Sequence, residues 1–290
     1  MIDSLYLFEH DAKGIYTVVH RADKVLYDAR SQFQKIVVLE NNLVGRAIIL
    51  DGVFNVSTVM EAHYHEPMAH IPLAMVGATD DDLLKVLVIG GGDFGVAKHV
   101  LKHPEVESVL LCELDPRITD VARKFFPEWS DACDGNKRFD LTHKDGLKYL
   151  EDLDSRIKYD AIIIDTTDPS VKAPALLEKK FYQYVYNSLR PGGVMMQIIG
   201  DLLFYKDAWR TCLPNAKDVF DCTAPVFVPI PFYLTGCWGL LLAGRGREIL
   251  PPTMVSQDYL DGIRGVQTIT PELVAGWFSL PPWVRKRLNL

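Results

Sequence analysis

The sequence predicts an α/β protein in which a small N-terminal antiparallel β-domain precedes a doubly wound parallel sheet. Three observations predict this fold. Residues 15–57 hold β-rich runs separated by turn residues, residues 85–213 alternate continuous apolar runs with helical stretches, and a glycine-rich turn follows the first of those runs. Strict alternation of strand and helix is typical of parallel sheets with right-handed crossovers. We expect the two domains to span residues 1–58 and 59–290.

The N-terminal domain is predicted from its turn signals. Asp51-Gly52 separates two β-rich runs, and this pair readily adopts the left-handed backbone conformations that a tight hairpin turn requires. We therefore expect one small antiparallel sheet of hairpins over residues 15–57. From residue 59 to residue 76 the apolar residues recur at helical spacing, which predicts a helix with one buried stripe.

The larger domain is predicted from apolar runs that are typical of strands buried on both faces. The five runs are KVLVIGG (85–91), SVLLCEL (108–114), RFDLTH (138–143), YDAIIID (159–165) and GVMMQII (193–199). Helices are expected over residues 95–103, 116–125, 145–153, 178–189 and 206–213. Two further strands, near 218–229 and 237–243, have no long helix between them and predict an antiparallel hairpin at one sheet edge. After Arg245 we expect loops and short helices.

Composition argues against several function classes. The 290 residues include 31 Lys and Arg against 38 Asp and Glu, a formal charge of −7, so a nucleic-acid partner is not expected and small cations are the natural ligands. No run approaches the roughly 18 apolar residues of a membrane helix. The five cysteines form no CxxC pair, and acids stand near the N-terminus where a signal peptide needs basic and apolar residues. We expect a cytoplasmic protein with reduced thiols.

A glycine-rich turn follows the first buried strand in the sequence VLVIGGGDFG. Gly90, Gly91, Gly92 and Gly95 let backbone N–H groups approach a ligand closely. Glu113 ends the next strand, where a carboxylate can accept hydrogen bonds from both ribose hydroxyls of a nucleoside. Enzymes that use NAD and enzymes that use S-adenosylmethionine share this arrangement, and an ordinary tight turn also fits it.

Two further acids favour a nucleoside sulfonium over a dinucleotide. Asp93 stands in the turn where a pyrophosphate would have to pass, and its charge repels phosphate but attracts an ammonium or sulfonium group. Asp145-Gly146 follows the third strand, where a carboxylate can accept a hydrogen bond from an adenine amino group. A helix N-cap explains Asp145 equally well.

Two more carboxylates follow the fourth strand. Asp165 and Asp168 lie in IIIDTTDP at the carboxyl edge of the predicted sheet, the usual ligand crevice of open α/β folds, and Asp93 should converge on them. Such a cluster can hold a polycation or a divalent metal. We favour the polycation, because no histidine or further acid joins them at metal-ligand spacing. Alternatively, Asp168 only caps the turn before Pro169.

Several motifs together resemble one family, the spermidine synthase family of polyamine aminopropyltransferases. The resemblance rests on the segments VLVIGGGDFG (86–95), KDGLKYL (144–150), YDAIIIDTTDP (159–169), FYQYVYNSLRPGG (181–193) and IPFYLTGCWG (230–239). It covers nearly the whole chain, from SQFQ (31–34) to LPPWVRKRL (280–288). The resemblance implies a Rossmann-like catalytic domain, a homodimer or homotetramer, and decarboxylated S-adenosylmethionine as co-substrate without a metal.

The resemblance also implies roles for residues. Gln34 and Asp93 would hold the tail of the co-substrate, Gly90, Gly91 and Gly92 would line its loop, Glu113 would hold the ribose, and Asp145 with Gly146 the adenine. Asp165, aided by Tyr64, would orient and deprotonate the attacking amine, while Asp168, Tyr233 and Glu61 would bind the small cationic amine substrate. The expected product is spermidine, made from a diamine such as putrescine.

The sequence departs from the family pattern mainly on the acceptor side. Phe94 replaces a glycine in the loop, the gate segment (residues 57–62, STVMEA) keeps only Glu61 as an acid, and Lys172 stands near the polyamine site. These changes motivate an alternative in which intact S-adenosylmethionine donates a methyl or 3-amino-3-carboxypropyl group to an unusual amine. A non-catalytic relative that regulates a partner subunit is a third hypothesis. For His99 and His103 we expect only local hydrogen bonds.

Overall fold

The computed structural model describes residues 5–10, 14–76, 83–167, 173–246, 248 and 255–290. Within these residues thirteen strands form three sheets. The strands are β1 (Leu5–His10), β2 (Thr17–Ala22), β3 (Lys24–Arg30), β4 (Lys35–Asn41), β5 (Gly45–Leu50), β6 (Val53–Ser57), β7 (Leu84–Gly90), β8 (Val106–Glu113), β9 (Phe139–His143), β10 (Tyr159–Asp165), β11 (Leu189–Ile198), β12 (Cys222–Pro229) and β13 (Cys237–Gly244).

Most described helices lie where the sequence predicts them, several with shorter ends, but the helix Pro127–Ser130 was not predicted and the helix Lys206–Lys217 runs past the expected end at residue 213. They are α1 (Ala62–Val76), α2 (Gly95–Val100), α3 (Pro116–Phe125), α4 (Pro127–Ser130), α5 (Gly146–Glu151), α6 (Lys179–Ser188), α7 (Lys206–Lys217), α8 (Gln257–Asp261), α9 (Pro271–Phe278) and α10 (Pro282–Leu288). A short 3₁₀ helix, Pro174–Leu177, precedes α6. No helix among the described residues is both long enough and apolar enough to cross a membrane.

The N-terminal region forms two antiparallel sheets, so the expectation of a single sheet over residues 15–57 is wrong. Strands β1 and β2 make a two-stranded sheet, and β3 to β6 make a four-stranded sheet in chain order. The chain changes sheets at Asp23, whose N–H donates to the carbonyl of Glu40 and whose carboxylate accepts from the N–H of Asn42. These two bonds hold Asp23 on the four-stranded sheet while β2 leaves it.

The turn at Asp51-Gly52 is confirmed. Both residues have positive φ, 49° and 89°, as a tight hairpin between β5 and β6 requires. The carboxylate of Asp51 also accepts a hydrogen bond of 2.9 Å from the N–H of Lys35. This contact ties the turn to the start of β4.

The large sheet has the strand order β12-β13-β11-β10-β7-β8-β9. Strands β7 to β11 are parallel, and β13 and β12 complete the sheet antiparallel at one edge, as the sequence predicts. The chain runs from β7 outward to β8 and β9, and then returns to β10 on the other side of β7. A crevice therefore opens between the carboxyl ends of β7 and β10, the point at which open α/β sheets bind ligands.

Helix α1 differs from its prediction. It begins at Ala62, not at residue 59, and it buries nearly its whole circumference, not one stripe. The reason is that α1 packs on α2, β10 and β11, while the hydroxyl of Tyr259 from the C-terminal segment donates to the carbonyl of His70. Polar residues of α1, including His65 and Glu66, are therefore buried with the apolar ones.

Candidate active site

A cavity of about 530 Å³ lies over the carboxyl ends of β7, β8 and β10. Residues of β1, β5 and β6 and of the loop between β12 and β13 close it from above. Its volume suits a small-molecule ligand. The acids that line it are Glu9, Asp93, Glu113, Asp115, Asp145 and Asp165, and no Lys or Arg of the described residues is among the lining side chains.

Asp165 occupies the centre of this cavity. It ends β10 directly opposite Gly90 of β7, and its Oδ1 accepts a hydrogen bond from the hydroxyl of Tyr64. Gly90 has a φ of +80°, and a Cβ there would overlap the carbonyl oxygen of Asp165, so only glycine fits. Burial, followed by the charge of Asp93, raises the pKa of Asp165 to about 7. This carboxyl group can therefore exchange a proton near neutral pH.

Asp93 is held in the glycine-rich turn by contacts on both of its oxygens. Its Oδ1 accepts from the N–H of Gly95 at 2.8 Å, and its Oδ2 lies 3.4 Å from Nε2 of His65. A Cβ on Gly95 would overlap the His65 ring, which explains that glycine. Phe94 adopts a positive φ of 71° and is fully buried away from the cavity, with its ring against Phe139. Phe94, which replaces a glycine of the family's loop, thus leaves the cavity unobstructed.

Glu113 and Gln34 meet at Asp115 beside the glycine-rich turn. Oε1 of Glu113 accepts from the N–H of Asp115 at 2.7 Å, and the carboxylate of Asp115 accepts from Nε2 of Gln34 at 3.1 Å. Burial raises the pKa of Glu113 to about 7. A Cβ on Gly92 would lie 2.9 Å from Oε2 of Glu113, so the glycine leaves room for this carboxylate.

The structure confirms the N-cap alternative for Asp145 and places the residue in the cavity lining. It caps α5 through Oδ1, which accepts from the N–H groups of Leu147 and Lys148 at 2.9 and 3.2 Å, and it also lines the cavity. Gly146 follows Asp145, and only glycine fits at this position because a Cβ there would overlap the side chain of Ile89.

An aromatic wall closes the other end of the cavity. Its rings belong to Tyr64, Tyr205, Tyr233 and Trp238. The ring centroids of Tyr233 and Trp238 lie 4.7 Å apart, and those of Tyr64 and Tyr233 lie 6.0 Å apart. The hydroxyl of Tyr233 donates to the carbonyl of Asn55, which fixes the ring against the N-terminal domain. Aromatic faces attract alkylammonium groups.

Sequence reasoning missed Glu9 and His10, which reach the cavity from β1. Glu9 is only 2% exposed, and its Oε2 lies 2.7 Å from Nε2 of His20. Nothing in the segment LYLFEH distinguishes this acid from an ordinary solvated strand residue. Only the packing of β1 on β6 brings it over the cavity.

The structure contradicts the expectation that Glu61 binds the amine substrate, because this residue lies outside the cavity. Its carboxylate is buried behind Asp93, where Oε2 contacts Nδ1 of His65 at 2.6 Å and Oε1 accepts from Nζ of Lys98 at 2.7 Å. These partners occupy the group that was expected to bind substrate directly. Asp168 and Lys172 lie outside the described residues.

Two buried groups in the described residues have ligand atoms close enough to share a metal ion, Glu61–His65–His99 and Glu66–His70–His99. The contacts that these side chains already make oppose the binding of a metal ion. The ammonium of Lys98 already neutralises Glu61. Glu66 accepts from the N–H groups of Gln267 and Thr268 and from the Thr268 hydroxyl. Both carboxylates are thus satisfied by hydrogen bonds.

Comparisons with known proteins agree with this geometry. Residues 61–249 match the model of the spermine/spermidine synthase domain, and residues 9–58 match that of the spermidine synthase tetramerisation domain, which supports an oligomer. A polyamine aminopropyltransferase of Caldicellulosiruptor saccharolyticus is 34% identical over 91% of each chain. Spermine synthase SPE4 of Saccharomyces cerevisiae is 31% identical over 92% of this chain and 89% of the yeast protein.

Solved structures give the same result. The crystal structure of spermidine synthase from Thermotoga maritima has a TM-score of 0.87 at 27% identity and covers 99% of this chain and 94% of that one. A spermidine synthase in complex with the transition state analogue AdoDATO also has a TM-score of 0.87 at 27% identity, over 98% and 95% of the two chains. With its family match over 61–249 and relatives above 30% identity, the chain belongs to the spermidine and spermine synthase family of polyamine aminopropyltransferases.

Proposed function

We propose that this protein moves the aminopropyl group of decarboxylated S-adenosylmethionine to a diamine such as putrescine, giving spermidine and methylthioadenosine. The observation that carries the proposal is the position of Asp165. It lies at the switch point of the sheet, hydrogen-bonded to Tyr64, with the Asp93 carboxylate close enough to raise its pKa. A carboxylate so placed can bind an alkylammonium and then accept its proton.

The donor fits the side of the cavity lined by the glycine turn. We assign Glu113 to the two ribose hydroxyls and Asp145 with Gly146 to the adenine, because all three line the cavity at neighbouring strand ends. Asp93 would bind the ammonium of the aminopropyl group, with Gln34 nearby. The six acids of the lining, with no described Lys or Arg among them, attract a sulfonium and an ammonium together.

The acceptor needs both a negative charge and a base. An alkylammonium has a pKa of about 10.4 and no lone pair for attack. We assign Asp165 to take one proton from it, with Tyr64 holding the carboxylate in place. The freed amine attacks the propyl carbon next to sulfur, a C–N bond forms, and the C–S electron pair leaves with neutral methylthioadenosine. Tyr233 and Asp168 would position the rest of the amine.

Alignment of the two substrates supplies much of the rate. In this assignment donor and acceptor bind on opposite sides of Asp165, which would bring the amine nitrogen, the carbon and the sulfur into line. No protein nucleophile takes part in this scheme. The described lining offers no Lys or Arg to pair with the carboxylate of intact S-adenosylmethionine, which favours the decarboxylated donor.

A donor-by-acceptor screen with mass spectrometry tests the proposal. Decarboxylated and intact S-adenosylmethionine are each incubated with diamines, triamines and agmatine. We expect methylthioadenosine from the decarboxylated donor only, and an acceptor heavier by one aminopropyl unit. Turnover from the intact donor alone would refute the proposal. S-adenosylhomocysteine would then indicate methyl transfer, and methylthioadenosine with a carboxylated adduct would indicate aminocarboxypropyl transfer.

We also propose that the protein is a homodimer or homotetramer assembled through its N-terminal domain, residues 1–58. The match of residues 9–58 to a tetramerisation domain supports this. So does the outer face of the two-stranded sheet, where the paired residues Phe8 and Val19 are 57% and 50% exposed. Light scattering on the eluting protein should give two or four times 32.7 kDa. A monomer at micromolar concentration would contradict the assignment.

We propose that the protein acts in the cytoplasm. The five cysteines are all free, and Cys237 is exposed. Thiols of this kind persist in a reducing compartment, whereas oxidising compartments favour disulfides. Fractionation of the source cells with an antibody to the protein is the direct measurement, and recovery from an extracellular or periplasmic fraction would contradict the proposal.

A further inference from the structure

One carboxylate in the wall of the cavity is occupied by hydrogen bonds from the protein. Asp115 lines the cavity but is buried, and it caps helix α3 through Oδ1, which accepts from the N–H of Arg117 at 3.0 Å. Its Oδ2 accepts from the hydroxyl of Ser31 at 2.7 Å and from Nε2 of Gln34 at 3.1 Å. Three donors thus occupy the carboxylate, which leaves Asp115 poorly placed to bind a ligand itself.

The turn between β3 and β4 presents Gln34 to this carboxylate. The N–H of Ser31 donates to the carbonyl of Gln34 at 2.8 Å, and the hydroxyl oxygen of Ser31 accepts from the N–H of Gln34 at 3.1 Å. These two bonds fix the backbone from which the Gln34 side chain extends. Gln34 precedes β4 of the four-stranded sheet, whereas Asp115 follows β8 of the large sheet. The contact between the two side chains therefore joins the two sheets at the wall of the cavity.

The contact with Asp115 decides which way the Gln34 amide faces. A carboxylate only accepts hydrogen bonds, so the amide must turn its NH2 group to Asp115 and its oxygen away from it. Among the described residues nothing donates to Oε1 of Gln34, although this side chain lines the cavity. The oxygen is therefore available to accept a hydrogen bond from a bound molecule. Without Asp115, either end of the amide could face the cavity.

The backbone of Asp115 holds a second side chain of the same wall. Its N–H donates to Oε1 of Glu113 at 2.7 Å. One residue thus positions a carboxylate through its main chain and an amide through its side chain. The two effects can be separated experimentally, because a substitution at Asp115 changes the contact with the Gln34 amide and leaves the N–H donor to Glu113 in place.

We propose that Asp115 is a positioning residue for the co-substrate, because it holds Gln34 in the orientation of a hydrogen-bond acceptor. This inference rests on the proposed function, which supplies a co-substrate whose donor groups are a primary ammonium and two ribose hydroxyls. An ammonium has three donors and no acceptor, so only the oxygen of the amide can bind it. Each ribose hydroxyl likewise has a proton to donate. The requirement that these groups share is an acceptor on the protein.

Asp115→Asn reverses the polarity of this contact. Asparagine caps helices as well as aspartate does, so its oxygen should keep the N–H of Arg117 while its NH2 group replaces Oδ2. The hydroxyl proton of Ser31 can then turn to the carbonyl of Gln34, which lies 3.3 Å away. Gln34 must rotate its amide to accept from the new NH2 group, and its own NH2 group then faces the cavity. In the variant, donors of the protein and of the co-substrate would therefore face each other.

Steady-state kinetics at varied donor concentration test this positioning role. For Asp115→Asn we expect the KM for decarboxylated S-adenosylmethionine to rise about tenfold or more, with kcat changed less than about threefold. Asp120→Asn is the matched control, since it removes the same charge from an exposed position of the same helix, α3, and should leave both constants unchanged. A wild-type KM in Asp115→Asn, or a loss confined to kcat, would overturn the proposal.

A second substitution separates the polarity of the contact from its charge and packing. When Gln34→Glu is added to Asp115→Asn, the introduced carboxylate can accept from the new NH2 group through one oxygen and present the other to the cavity. The summed charge of the two side chains then equals that of the wild type. We expect the donor KM of this double variant to return to within about threefold of the wild-type value. A folded double variant without this recovery would overturn the proposal, also where Asp115→Asn alone does not fold.

Binding of methylthioadenosine identifies the group from which Gln34 accepts, because this product keeps the ribose but lacks the ammonium. Calorimetry on Asp115→Asn measures its Kd. An unchanged Kd together with a raised donor KM assigns the ammonium to Gln34, and a Kd that rises in parallel with the donor KM assigns a ribose hydroxyl. Both results support the positioning role. A wild-type protein that forms no methylthioadenosine would instead refute the proposed function.

Discussion

The hydroxyl of Tyr64 donates a hydrogen bond to Oδ1 of Asp165 across the interface between α1 and the end of β10. The two residues are 101 positions apart in the sequence. This contact joins the helix that follows the N-terminal domain to the central carboxylate of the cavity. It also opposes the effect of burial and of Asp93 on the Asp165 pKa, because a donated hydrogen bond stabilises the carboxylate.

Asp165→Asn should lower turnover by about two orders of magnitude or more, because the amide keeps the shape of the side chain but cannot accept a proton. The measurement is the initial rate of methylthioadenosine formation. Asp140→Asn, on an exposed position of β9 in the same sheet, is the matched control and should retain wild-type turnover. Full activity in Asp165→Asn would remove this residue from the mechanism.

The same variant should stabilise the empty protein above neutral pH. Asp165 has a pKa of about 7 in the folded protein against an ordinary aspartate value of 3.8, so the folded state binds more protons than the unfolded state between these values. Its contribution to stability therefore falls as pH rises from about 4 to about 7. We expect Asp165→Asn to raise the melting temperature at pH 8 but not at pH 4. An equal shift at both pH values would contradict this linkage.

Tyr64→Phe should move the pH dependence of activity. The active form carries ionised Asp165, so kcat/KM should rise with pH through about 7. Without the Tyr64 hydroxyl the carboxylate loses a stabilising donor, its pKa increases, and the rising limb should move to higher pH, with a loss of about tenfold at neutral pH. A pH–rate profile tests this. An unchanged profile would separate Tyr64 from the ionisation of Asp165.

Glu113→Gln should weaken donor binding with little effect on the chemical step. A hydrogen bond to a charged group contributes about 1.5–3 kcal/mol, so the KM for decarboxylated S-adenosylmethionine should rise roughly 10- to 100-fold. Measurement of kcat and KM for each substrate separates the effects. Inhibition by methylthioadenosine should weaken in parallel, since it shares the ribose. A loss confined to kcat would contradict the ribose assignment.

Phe94→Gly tests the direction of the substituted loop residue. Glycine removes about 1–3 kcal/mol of backbone strain at a φ of 71°, but loss of a fully buried ring costs about 3–5 kcal/mol, so the variant should be less stable by roughly 2 kcal/mol. Urea denaturation measures the free energy of unfolding of the variant, with Phe94→Leu as a milder control. The activity of the folded fraction should stay unchanged, because the ring lies outside the cavity. A large change in the KM for the donor would contradict this placement of the Phe94 ring outside the cavity.

Local sequence patterns were enough to predict most of the catalytic domain. The apolar runs of β7, β8, β10 and β11 are long enough to be buried on both faces, and the first three end at Gly90, Glu113 and Asp165. Because parallel strands present their carboxyl ends at one edge, the positions of Glu113 and Asp165 beside the glycine turn followed from strand order alone. The donor side of the cavity was therefore largely predictable.

The N-terminal region was less predictable, because short exposed strands carry weak patterns. The division into two sheets depends on the two bonds made by Asp23, and Glu9 reaches the cavity only because β1 packs on β6. These contacts join residues that no spacing rule connects. The gate segment shows the same limit, since its one retained acid, Glu61, turns inward to Lys98 and His65.

The sequence by itself determined the order of the elements, the glycine turn and the acids at the strand ends, because apolar periodicity and turn chemistry are local properties. Only the tertiary structure decided which polar side chains are buried together. The four histidines at positions 65, 70, 99 and 103 come from α1, α2 and the turn after α2, and they meet because α1 packs on α2 with nearly its whole circumference buried. Burial then raises or lowers the pKa of each group according to its neighbours, and those neighbours are set by the fold.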